Sequence, residues 1–300
     1  MPSPEMREVI SELRQRQQAR AGQAPPPLDQ ARAAFAPADR VHPLPGDVRV
    51  IEMTAAGVPA CWLSAPGVAP GRVLLFVHGG GYSLGSLRSH GELAARLGRA
   101  AGMRVLFPEY RRAPEHPFPA AAEDVRSVWR WLRDVQGLPA ESIALCGDSA
   151  GGALILGLLT TLRDAGEDLP AAAALMSPHV DLTASGASIA ERAADDPIFT
   201  PEMIRGIAAT YLAGADPRSP LASPLFADLK GLPPLLVLAG TAELLLSDSQ
   251  RLAAAAADAG ADVTLQVGEG LPHAYPIMLG TPEAAAATEQ IAAFLRAHVR

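Results

Sequence analysis

Cysteine is nearly absent. Cys61 and Cys146 are the only two in 300 residues, too few for a disulfide framework, and no C-x-x-C pair suggests a redox or zinc motif. Cys146 closes an apolar run, "SIALC", so a buried and inert thiol is expected there. Lysine is almost missing too: all but Lys230 of the 25 cationic residues are arginine, and they are scattered. With 32 acidic residues the formal net charge is −7, which excludes the clustered cations that a nucleic-acid surface requires. No stretch approaches the roughly 18 uncharged apolar residues of a membrane span. The first 22 residues are charged throughout and have no apolar core, unlike a secretory signal. The expectation is a soluble cytoplasmic protein with neither a nucleic-acid nor a membrane partner. H-E-x-x-H and similar ligand spacings are missing, so no metal and no cofactor is expected.

What remains is a chain able to bury a large core, 49% hydrophobic and 19% charged. Residues 4–21 and 28–36 read as helices separated by the breaker "GQAPPP". A second breaker, "PADRVHPLPGD", leads into "DVRVIEMT" and "VPACWLSA", a hairpin turned at "AAG". Near-continuous apolar runs follow at 72–77, 103–108, 142–146, 172–176, 234–239 and 262–267. Helical patterns fall between and after them at 92–101, 120–136, 150–164, 248–259 and 282–296. Uniformly apolar strands suit a parallel sheet covered on both faces, and strand–helix repetition implies right-handed crossovers. The fold class is therefore α/β: a mostly parallel, doubly wound sheet of about eight strands with an N-terminal hairpin. Some 55 residues between "LMSP" and "PLLVLA" break the rhythm and hold one good helix, about 201–213, as a lid would. The expected division is a main unit of 46–180 and 226–300 beneath a helical cap of 1–45 and 181–225.

Two stretches fit G-x-S-x-G, "GYSLG" at 81–85 and "GDSAG" at 147–151; with 27 glycines in the chain, one accidental match is unremarkable. A nucleophile elbow needs a strand ending at the first glycine and a helix starting directly after the serine. "SIALC-GDSAG-GALILGLLTTLRD" meets both conditions. Ser149 then takes the strained turn, and the Ala150 N–H opens a helix whose positive end can face an oxyanion. "GYSLG" fails, because its strand ends at Val77 and no helix starts until about Ser89. What precedes it, "HGGGY" at 78–82, can supply the other oxyanion donors from unobstructed backbone N–H groups. Ser83 is then an ordinary loop hydroxyl.

A serine nucleophile needs a base, and the base needs a carboxylate. The order along the chain should be serine, acid, histidine. His273, in a loop between the last strand and the last helix, is in the required place. His179 precedes any acid-bearing strand and reads as cap hinge or pocket lining, and His298 as solvated. For the acid, Glu243 and Asp248 both lie in "TAELLLSDSQ". Asp248 is better explained as first-turn charge or cap of its helix, so Glu243 is preferred.

"HGGGY" at 78–82, "EYRRAPEHPFPAA" at 109–121, "GDSAGG" at 147–152 and an acid–histidine pair thirty residues apart together resemble the hormone-sensitive-lipase-like (family IV) bacterial esterases of the α/β-hydrolase superfamily. The resemblance spans about 48–298. It implies an α/β-hydrolase fold with Ser149 as nucleophile and His273 as base, and Gly80, Gly81 and Ala150 as oxyanion-hole donors. It implies a structural role for 110–121, His116 included. The chain departs from the family at the acid, where Glu243 in "AELLLSD" replaces the aspartate of D-P-L-x-D, and at "HAY" in place of H-G-F.

The implied function is a serine carboxylesterase acting on a small-molecule ester of short to medium acyl length. A lactone hydrolase is the alternative with the same triad, and an amidase would share it too. A receptor on this scaffold would lack the histidine. Tyr82, Ile198, Phe199, Met203, Ile207 and Tyr211 are the candidate pocket residues, with cap packing as the competing explanation for those at helical spacing. The edge strand at 262–267 leaves a homodimer open, as among relatives.

Overall fold

A computed structural model of the chain describes residues 1–23, 26–35 and 42–300. The helix end expected at 36 and parts of both N-terminal breakers lie outside the described residues. In chain order the elements are α1 (Pro4–Arg20), α2 (Leu28–Phe35), β1 (Arg49–Ala55), β2 (Val58–Ser64) and β3 (Ala69–Val77). Next come α3 (Leu87–Ala101), β4 (Met103–Pro108), α4 (Ala120–Asp134), β5 (Ile143–Asp148), α5 (Ala150–Asp164) and β6 (Ala172–Met176). The short α6 (Ser188–Glu191) and α7 (Pro201–Leu212) precede β7 (Leu235–Ala242), α8 (Leu246–Asp258), β8 (Val263–Pro272) and α9 (Pro282–His298).

One eight-stranded sheet runs in the order β1-β2-β4-β3-β5-β6-β7-β8. The pairs β1–β2 and β2–β4 are antiparallel and the rest parallel, so the sheet is the mostly parallel, hairpin-led one expected. Successive side chains of a strand point to opposite faces, and here both faces are apolar. Leu75, Val77, Leu145, Leu175 and Val237 join α4, α5 and α8 in one core. Their neighbours Leu74, Phe76, Cys146, Met176 and Leu238 join α3 and α9 in the other. That is why the strands read as continuous apolar runs. Cys146 is buried, as its place in such a run implies.

The chain leaves β3 to one side for β4 and returns to the other for β5, which makes the β3–β5 boundary the switch point of the sheet. Ligands of open α/β sheets bind outside the strand ends at such a point. Val77 pairs with Gly147, so "HGGG" and "GDSAG" emerge side by side. The contact is close enough to forbid a side chain: a Cβ on Gly151 would lie 2.0 Å from the Val77 carbonyl oxygen and 2.7 Å from that of His78. Gly151→Ala is expected to destabilise the fold by about 3 kcal/mol, since neither backbone can give way. Gly206→Ala, in α7 with nothing within 4 Å of its Cβ, is expected to be neutral or slightly stabilising. Denaturant midpoints of the two variants check both.

Several boundaries differ from the sequence pattern. Helix α3 opens at Leu87 rather than 92. The Glu109 carboxylate accepts the Leu87 N–H at 2.6 Å and Ser89 Oγ accepts the Ser86 N–H at 3.0 Å, so partners distant in sequence and local ones cap it early. β7 continues to Ala242 by pairing with Pro272, which places Glu243 directly after the strand. α8 begins at Leu246 instead of 248.

Candidate active site

Ser149 stands between the end of β5 and the start of α5 with φ 50° and ψ −118°. A serine holds such a backbone only where its surroundings over-determine it. Here its N–H donates to the Met176 carbonyl at 2.8 Å, while its own carbonyl accepts from Ala153 at 3.2 Å and His179 at 3.1 Å. The serine is 7% exposed, at the point where α5 presents its positive end.

His273 follows β8, and Glu243 follows β7. Neighbouring parallel strands thus deliver the two side chains to each other, with Nδ1 of His273 3.1 Å from Oε2 of Glu243. The second carboxylate oxygen accepts the Gly240 N–H at 3.3 Å, and Glu243 is fully buried. A carboxylate only accepts, so this contact assigns the proton to Nδ1 and leaves Nε2 as the basic nitrogen. Burial opposes charging His273, but the hydrogen bond and charge of Glu243, with Asp196 and Asp148 behind them, outweigh it and raise its pKa above the ordinary 6.5. Ser149 Oγ lies outside this hydrogen-bonded pair among the described residues.

Asp248 does not join the pair. It lies buried in the first turn of α8, where one carboxylate oxygen accepts the N–H groups of Val180 and Asp181 at 2.9 and 3.0 Å. Its partners are therefore not those of its own helix end, as sequence suggested, but the chain leaving β6. Burial, with Asp181 adding to it, pushes its pKa well above the aspartate range.

The glycine loop forms the facing wall. Gly80 has φ 107° and Gly81 φ 58°, conformations open to glycine. The Gly80 carbonyl accepts the N–H groups of Ser83 and Leu84, which closes the turn. Ser83 is a turn residue, its carbonyl held by Arg32 at 2.9 Å. Behind the loop, Asp148 accepts the Gly79 N–H at 2.9 Å and lies 3.4 Å from His90. Burial alone would raise the Asp148 carboxyl; His90, the Gly79 N–H and His78 together hold it below the usual range. His78 stacks on Tyr110 with ring centroids 4.2 Å apart. Burial and then His90 push its pKa down to about 3.

Of the candidate pocket residues, Tyr82, Ile207 and Tyr211 converge on this loop. The Tyr82 and Tyr211 rings stack at 3.7 Å, and Ile207 is the nearest neighbour of a Cβ built on Gly81, at 3.2 Å. Phe199 stands edge-on to His273 at 5.0 Å and 75°. Met203 is 45% exposed, and Ile198 takes part through its backbone N–H, which donates to Asp196. His179 lines the centre: it is buried beside Ser149, with its pKa lowered to about 4 by burial and then by His273. Asp148 fills a variable position of "GDSAG" and Asp196 belongs to no motif, so neither carries a signal of its own in sequence. Among the described residues, no group of three or more His, Cys, Asp or Glu side chains could hold a metal ion, and no helix is long and apolar enough to cross a membrane.

Residues 74–277 match a family model described as alpha/beta hydrolase fold. An acetyl-hydrolase of Streptomyces hygroscopicus is 42% identical over 99% of this chain and 97% of its own length. An esterase of Acinetobacter venetianus is 34% identical over 85% and 84%. Among solved structures, an esterase from the bacterial hormone-sensitive lipase family superposes with a TM-score of 0.94 at 42% identity, covering both chains completely. EstE5, in crystals soaked with p-nitrophenyl butyrate, gives 0.92 at 39% identity over 99% of each chain.

Proposed function

Since the chain belongs to the α/β-hydrolase fold family, in its hormone-sensitive-lipase-like branch of bacterial esterases, and is a carboxylic ester hydrolase, we propose that it cleaves short to medium acyl esters through Ser149, His273 and Glu243. The observation that carries this assignment is the buried Glu243–His273 hydrogen bond at the ends of adjacent strands. Ser149 Oγ attacks the ester carbonyl carbon as His273 Nε2 takes its proton. The oxyanion is met by N–H groups of Gly80, Gly81 and Ala150. The carbon–oxygen bond to the alcohol then breaks, and the alcohol departs with the proton from His273. A water molecule repeats the sequence on the acyl-enzyme, giving a proton to His273 that returns to Ser149. Glu243 holds the imidazole in its Nδ1–H tautomer and stabilises its cation.

The described residues of 1–45, with 181–225, act as the cap over this centre. Supporting contacts come from both: Gln17 of α1 donates to the carbonyls of Asp196 and Phe199, Arg32 of α2 to that of Ser83, and Ile207 of α7 packs on Gly81. The apolar side chains Ile207 and Phe199 and the Tyr82–Tyr211 stack crowd the site, which favours a short to medium acyl chain over a long one.

A stoichiometric p-nitrophenyl phosphonate label on Ser149, and a panel of p-nitrophenyl esters peaking at short to medium acyl length, test the proposal. Labelling elsewhere, or a rate rising only with long chains, contradicts it. His273 acts as base only when neutral, so kcat/KM is expected to rise with pH through a single midpoint above 6.5, the direction in which its surroundings move it. A pH profile with its midpoint below that of free histidine contradicts the role given to Glu243.

A further inference from the structure

Asp196 is a buried carboxylate that no step of the proposed reaction uses. It is 2% exposed and accepts three backbone N–H groups: those of Ile198 and Phe199 on Oδ1 at 2.7 and 2.9 Å, and that of Leu244 on Oδ2 at 2.8 Å. The first two bonds fold 196–199 into the turn that presents Phe199, the residue whose ring stands edge-on to His273. The third falls on the residue immediately after Glu243. One side chain therefore spans from the wall of the imidazole to the backbone of its acid. The same turn is gripped from outside, because Gln17 donates to the carbonyls of Asp196 and Phe199 at 3.2 and 3.1 Å.

A turn-capping role alone does not explain this. The two bonds within 196–199 could be made by asparagine, without the cost of burying an anion. A carboxylate is favoured where a second oxygen must reach another segment and where a cation forms nearby. Both conditions hold here. Resting on the Ser149–His273–Glu243 reading above, we propose that Asp196 is a positioning residue of the reaction: it locks Glu243 and Phe199 in register around His273 and supplies a fixed negative charge behind the imidazolium. The charged and titratable groups facing His273 are then Glu243 after β7, Asp148 at the end of β5, Asp196 in this turn and the buried His179 after β6. The three carboxylates each favour the cation. Burial raises the Asp196 carboxyl above the ordinary aspartate value, and its three N–H donors and His273 limit that rise.

Asp196→Asn presents one acceptor oxygen where aspartate presents two, and removes the charge. Per active site titrated with a p-nitrophenyl phosphonate, its kcat is expected to fall about ten- to a hundredfold with KM little changed, as for a displaced catalytic geometry. Loss of the negative charge lowers the His273 pKa, so the acid limb of kcat/KM should move to lower pH by about half a unit to one unit. Asp196→Glu keeps the charge but misplaces the oxygens; it should lose kcat and keep the limb. It also decides the matter if the asparagine variant does not fold, since wild-type kcat per titrated site would then overturn the proposal. A merely structural residue would reduce the folded fraction and move neither kcat per site nor the limb, and that result in Asp196→Asn overturns the proposal. A wild-type enzyme that does not label on Ser149 overturns the triad reading itself, which distinguishes the two failures.

Discussion

Ser149→Ala is expected to lower kcat on p-nitrophenyl butyrate by about four to six orders of magnitude, with the folded state retained. The magnitude follows from covalent catalysis: without Oγ no acyl-enzyme can form, and what remains is the help of the oxyanion donors and of binding, worth about 10³–10⁴ over water in triad enzymes. The fold should survive because the strained backbone at 149 is held from outside the side chain. The bonds to Met176, Ala153 and His179 all run through the Ser149 main chain, and alanine keeps each of them. Steady-state rates on protein verified by circular dichroism, with the phosphonate as a check on contaminating esterase, read the outcome. A variant retaining more than about a hundredth of the wild-type kcat would remove Ser149 from the mechanism. Ser83→Ala, at the other G-x-S-x-G, is expected to be near wild type, because the groups of that loop which matter are N–H and carbonyl.

The two serines show why part of the site could be read directly. Strand, elbow and helix are adjacent in sequence at 143–164, so apolar run, glycine spacing and helix onset all sit within one local window. The strand end before Glu243 is legible because it follows the buried apolar run of β7, whereas His273 is placed by its order in the chain, after the half-exposed β8 and before α9. The glycine loop is legible as well, since consecutive glycines after a strand have few other uses.

Where partners lie far apart, the pattern was silent. Helix α3 starts five residues early with help from Glu109, which follows β4 and accepts the Leu87 N–H, a partner 22 residues away that adds to the local Ser86–Ser89 cap. Asp248 had the sequence signature of a helix-start charge, yet its hydrogen bonds go to residues 180 and 181. Nothing in "AADDPIFT" sets Asp196 apart from Asp195 beside it, and its contact with Leu244 arises only because the turn folds over the end of β7. Side chains whose work is to join segments have no local period to betray them. The helices of the N-terminal segment were visible, but not that Gln17 and Arg32 would tie them to the cap turn and the glycine loop.

The choice between the two acids yields the second large effect. Glu243→Gln is expected to reduce kcat by about three to four orders of magnitude while KM changes little. A glutamine can direct its amide NH₂ at Nδ1, which makes that nitrogen the acceptor and puts the imidazole proton on Nε2, the tautomer that cannot take a proton from serine; the corresponding change in a Ser-His-Asp enzyme costs about 10⁴. The imidazolium also loses its closest counter-charge, 3.1 Å away, so the acid limb of the residual activity should fall to lower pH. Asp248→Asn supplies the contrast. One asparagine oxygen can accept both N–H groups that Asp248 now holds, and burial already disfavours the anion there, so a neutral amide replaces it at little loss. Its kcat/KM should stay within about threefold of wild type, as expected for a side chain without contact to the reacting groups. The ordering of these two variants on one ester, with active sites titrated in each, decides the acid. If Asp248→Asn proves the more damaging, Glu243 is not the partner of His273 in turnover, and the hydrogen bond between them serves packing alone.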